Sequence, residues 1–153
     1  MERFTGFCGG VASGTNKTFL NLHNVAASPT ARARIFYASL GSDDTPGDQA
    51  MRLFFGRTTG VGTEGAGFTP NNLDPAGPAG AWDFGVGTFT VEPTYTSNKE
   101  LKITSVNQRA NWQWYANEGC ELVAAATQNN GIGIKSSAST STQAYELELQ
   151  FTE

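Results

Sequence analysis

Charge is scarce in this chain of 153 residues, where Asp, Glu, Lys and Arg together make up 16% against roughly a quarter in ordinary soluble proteins. The 10 basic side chains form no run of more than two close neighbours, and 14 acidic ones outnumber them, for a net charge of −4. Duplex binding needs clustered Lys and Arg to displace counterions from phosphates, so nucleic acid is not an expected partner. Long apolar runs are missing too: none approaches the roughly 20 residues that cross a bilayer, and no membrane association is expected. The start, MERFTGFCGGVASGTNK, lacks a basic stretch followed by an apolar core of secretory length, which predicts a product made in the cytoplasm.

Cysteine and histidine are nearly absent. Cys8 and Cys120 stand far apart in sequence, a pattern that fits two reduced, buried thiols better than a disulfide framework. His23 is the single histidine; without paired Cys and His spacings there is no tetrahedral zinc set. No nucleophile motif accompanies His23 between Leu22 and Asn24, and the expected place for it is the outer or subunit-facing side of a strand. The chain is therefore expected not to be an enzyme and to use no metal and no cofactor. Helix signals are weak as well: the best contender, 120–131, has three consecutive Ala and a Gly stop but no N-cap before it.

What the chain does have is alternation. In 144–151, Tyr145, Leu147, Leu149 and Phe151 fall on one face and Glu146, Glu148 and Gln150 on the other, the mark of a half-buried strand. In 109–117, Trp112 and Trp114 share a side with Ala110 and Ala116, opposite Asn111, Gln113 and Tyr115. Further strands are predicted over 17–25, 31–40, 50–57, 86–92, 99–106, 120–127 and 131–135, each bounded by Gly, Pro, Asn, Asp or Ser. Nine short strands with connections too long to be all tight hairpins predict a single-domain antiparallel β-sandwich of the jelly-roll type. Residues 1–16 read as an irregular N-terminal arm, 17–153 as the sandwich, and 136–144 as a polar connector before the last strand.

Three segments invite functional readings. The acidic stretch 41–49 gathers Asp43, Asp44 and Asp48, but its spacing departs from the EF-hand loop, and a solvated turn is the favoured reading. The segment 56–85 is rich in Gly and Pro, a composition built for turns and an excursion. Part of it is expected to pair as a hairpin or to lie across a neighbouring subunit. Aromatic rings stack on sugars as well as in cores, which makes Trp82, Trp112, Trp114 and Tyr115 the candidates for a sugar platform. Core packing is favoured for Trp112 and Trp114, whereas Trp82, after the Pro/Gly-rich run 75–81, anchors a loop either on its own body or on a partner.

The order Arg57-Thr58-Thr59, Gly62-Thr63, Phe68-Thr69-Pro70, Leu73-Asp74-Pro75 and Pro78-Ala79, followed by Trp114, Gly119, Glu121-Leu122 and Asn130-Gly131-Ile132-Gly133 and a final acidic strand ending at Phe151, resembles small virion structural proteins of tailed phages. The resemblance spans roughly residues 17 to 153 and leaves residues 1–16, Cys8 and Cys120 outside the pattern. It implies a cement or decoration protein on the outside of a phage capsid, assembled as a homotrimer and bound to the major capsid protein. The alternative is a carbohydrate- or receptor-binding module of a tail or head fibre. Residues 2–16 and 57–85 are the expected contact segments. Arg32 and Arg34, read as sharing a strand face, join Arg52 and Arg57 as candidates for pairing with acidic partner surfaces; Phe68 and Trp82 complete the contact candidates.

Overall fold

Sequence alternation becomes burial in the last strand: Tyr145, Leu147, Leu149 and Phe151 are all buried, while the residues between them reach solvent. The computed structural model describes residues 1–12, 16–45, 47–139 and 144–153. Among these residues there are 12 strands and no helix. In chain order they are β1 (Arg3–Ala12), β2 (Thr18–Asn24), β3 (Arg34–Ser42), β4 (Ala50–Gly60), β5 (Ala66–Phe68), β6 (Asn71–Asn72), β7 (Trp82–Val86), β8 (Thr94–Asn107), β9 (Trp112–Tyr115), β10 (Leu122–Val123), β11 (Gly131–Ser139) and β12 (Ala144–Thr152).

The strands form two antiparallel sheets. The first runs β6-β1-β12-β3, with β9 and β10 both along the far side of β3; the second runs β5-β7-β2-β11-β4-β8. The pairs β1 with β12, β2 with β11, β3 with β9 and β10, and β4 with β8 are nested, the first strand with the last and so inward. A long hairpin rolled into two sheets gives that nesting, which is the jelly roll, as expected from the strand spacing. Side chains from the two inner faces fill the space between. Phe4 stacks on Phe151 at 5.3 Å between ring centroids, and Phe84 of the opposite sheet meets Phe151 edge-on at 5.9 Å.

Several strand boundaries differ from the sequence reading. Residues 1–16, expected as an irregular arm, contain β1, which lies between β12 and β6. Its alternation is concealed because one inward position is Gly6, where any side chain would collide with the Phe84 ring. The strand expected at 86–92 lies earlier, at β7, because Trp82, Phe84 and Val86 supply the inward face. Only Leu122 and Val123 of the predicted 120–127 strand pair with β3; the segment is neither a long strand nor a helix. β3 begins at Arg34, so Arg32 precedes it. The polar connector expected over 136–144 lies outside the described residues from 140 to 143.

Within the chain the excursion packs back onto both sheets. β5 pairs with β7 as part of the second sheet, β6 crosses to pair with β1, and residues 61–65 and 87–93 fold over the outside of β2. There Asn21 Nδ2 donates to Val61 O at 3.5 Å and the Thr18 amide to Glu92 Oε2 at 3.0 Å. Phe89, 3% exposed, packs beside Gly85. All seven residues of β2 are therefore buried, the polar Thr18, Asn21, His23 and Asn24 included.

Candidate functional site

Arg32, Arg34 and Arg57 line one surface recess of about 370 Å³, with Val123 and Ala125 as the remaining wall. Two sheets contribute. Arg34 pairs across to Val123 in the first sheet. Arg57 sits opposite buried Ile132 in the second, so its side chain leaves β4 on the core-facing side, and its guanidinium donates to Val123 O at 2.6 Å. Arg32 is positioned by its neighbour Ala33, which is buried and whose carbonyl accepts from the Ala124 amide at 2.9 Å. The ion pairs among the described residues, Lys17 with Glu92 and Arg109 with Asp48, lie elsewhere. Three like charges share the recess on a chain of net charge −4. An arriving carboxylate or phosphate would relieve their mutual repulsion and accept paired guanidinium hydrogen bonds.

The other contact candidates separate from this group. Arg52 is exposed on β4 but is not part of the recess. Phe68 is half-buried between Phe84, at 5.3 Å, and the exposed Phe7, at 5.9 Å. Trp82 is fully buried; its expected role as a partner contact is corrected by the inward register of β7, and it anchors the excursion on its own body. His23 falls on the outer side of β2, in the row of Asp83 and Thr58, as expected, but is buried there; its Nδ1 lies 3.2 Å from Asn21 O. Cys8 is buried as expected, and burial, with a smaller contribution from Glu146, pushes its thiol up to about 12. Cys120 is exposed, contrary to expectation, and the two thiols are unpaired. Asp48 in the acidic turn pairs with Arg109 at 2.7 Å, and Asp44 caps the Thr45 amide at 2.6 Å. Asp74 accepts from the Ala76 amide at 2.9 Å, an ordinary turn bond.

A second recess, of about 330 Å³, lies on the outer face of the first sheet and was not foreseen. Strand register explains it. Gln113, Ser39, Glu148 and Phe7 are directly opposed in one row across β9, β3, β12 and β1. Tyr115, Tyr37, Gln150 and Thr5 make the adjacent row by the same pairings. On the other side Gly41 opposes Glu146, and Asn111 Oδ1 lies close over Gly41. Small residues at 39 and 41 leave the centre low, between Phe7 (60% exposed) on one rim and Asn111 and Gln113 on the other. Glu148 is held in place: its Oε1 accepts from Thr5 Oγ1 at 3.1 Å and from Gln150 Nε2 at 2.9 Å. Of the sugar-platform candidates Trp112 contributes to the lining while half-buried against the core, and Tyr115, exposed on the same face, packs on Tyr37 one row outside the recess.

Among the described residues no cluster of His, Cys, Asp and Glu is arranged to hold a metal ion, and no helix is long and apolar enough to cross a membrane. Compared with family models, curated proteins and solved structures, the chain matches none.

Proposed function

We propose that this protein is a structural component of a phage particle: a cement or decoration protein that sits on the outside of the capsid as a homotrimer and ties together major capsid protein subunits. The observation that carries the reading is the recess of Arg32, Arg34 and Arg57, where three of the four arginines expected to meet acidic partner surfaces come together with no ion pair to an acid among the described residues. A jelly roll supports this use, because rigid sheets keep a contact surface in shape when many modest contacts must engage at once. The sequence resemblance supplies the virion setting.

Charge reversal tests the proposal. Arg32→Glu with Arg34→Glu alters two exposed side chains and leaves the core intact. Loss of saturable co-sedimentation with capsids lacking the protein, at an unchanged melting temperature, is the expected result. Undiminished binding would overturn the role of the recess. A second reading, a carbohydrate-binding module of a tail or head fibre, draws on the polar recess of the first sheet.

A further inference from the structure

The outer recess of the first sheet combines several polar groups with an exposed aromatic ring. Its row of Gln113, Ser39, Glu148 and Phe7 places an amide, a hydroxyl, a carboxylate and an aromatic ring across four neighbouring strands. Asn111 and Glu146 add another amide and another carboxylate at its margin. Phe7 exposes its ring to solvent at the rim, packed on one side against Phe68. The volume, about 330 Å³, falls at the small end of ordinary ligand pockets, roughly 300 to 1,000 Å³.

We propose that this recess binds a neutral saccharide, a reading independent of capsid attachment and one that gives the carbohydrate-binding alternative a definite site. A sugar ring offers an apolar face of C–H groups and a rim of hydroxyls. The exposed ring of Phe7 suits the face. Hydroxyl pairs suit the carboxylates, which accept two O–H bonds at once and do so more strongly than neutral oxygens. Gln113 and Asn111 both donate and accept, matching hydroxyls in either orientation. Glu148 is already fixed by Thr5 and Gln150, so little side-chain freedom is lost when ligand arrives. Glu146 and Glu148 together exclude sialylated, uronic and sulfated sugars by charge, and that selects the neutral class.

The test is a glycan array carrying neutral glucans, mannans, galactans and N-acetylglucosamine oligomers beside sialylated and sulfated glycans, followed by calorimetric titration with the neutral oligosaccharide that gives the strongest signal. Binding to a neutral glycan with no binding to the anionic set is expected. Gln113→Ala and Phe7→Ala should each weaken it by about tenfold or more, a difference titration resolves easily. Ser39→Tyr places a strand-compatible side chain in the low centre of the face and should abolish binding, with circular dichroism and melting temperature unchanged. Silence across the neutral set, preference for anionic glycans, or binding that survives Ser39→Tyr would each overturn the proposal. Co-sedimentation with capsids reads the Arg recess separately, so failure of either proposal is visible without the other.

Discussion

Two buried side chains show how single residues carry the fold. Trp82 is fully buried with its Nε1 lacking a hydrogen-bond partner among the described residues. The whole value of the side chain is therefore its volume between the sheets. Trp82→Ala should cost about 3–5 kcal/mol, as large-to-small core substitutions do, and denaturant unfolding checks it. Trp82→Phe should cost less, because it removes the unsatisfied donor along with part of the ring. Cys8 gives a pH prediction. Its thiol is raised in the folded protein from 9.0 to about 12, so above pH 9 the unfolded chain releases that proton while the native one keeps it. Stability from this group is present below pH 9 and declines as pH rises toward 12. Cys8→Ala should flatten that part of the alkaline stability curve. A thiol reagent should titrate one cysteine, Cys120, in native protein and two after denaturation, since Cys8 is buried and Cys120 exposed. Two reactive thiols in the native state would contradict the burial of β1.

At the scale of elements, the second sheet depends on glycines that admit a neighbour's ring. Tyr95 on β8 reaches back across β4 and β11 to hydrogen-bond Thr18 on β2 at 3.0 Å, and its ring lies over Gly56 and Gly133. Lys135 adds a cation over the same ring at 4.3 Å. Gly133→Ala must push Tyr95 off this seat and should cost about 1–3 kcal/mol, the usual range for overpacking. Tyr95→Phe, which keeps the ring and loses one hydrogen bond, should cost about 1 kcal/mol. Equal losses from the two variants would contradict the steric account. Such dependencies mark where sequence reading stops. Strands with clean alternation, β12 above all, are plain from their residues, and the apolar runs of β2 and β4 are nearly so. β1 is hidden because its inward row contains Gly6, which has meaning only once Phe84 from another strand is opposite it. β10 shrinks to two residues because β9 occupies the rest of the same edge of β3.

For the whole molecule, the candidate sites are products of register between distant segments. Arg32, Arg34 and Arg57 could be named in advance as partner residues by type, yet their convergence depends on Arg57 crossing from one sheet to the other to reach Val123. The polar recess has no trace in any single strand, because each row draws one residue from each of four strands. The Pro/Gly-rich approach to Trp82 leaves an anchor on its own body or on a partner equally open, and its alternation with Phe84 and Val86 decides for the core. The central claim is attachment to a capsid by a basic recess on a rigid jelly roll. Sedimentation of purified protein with capsids that lack it tests this most directly. The account predicts saturation at a fixed ratio to the major capsid protein, with salt weakening the complex as expected for arginine–carboxylate contacts. Protein that stays in the supernatant at every concentration would contradict it.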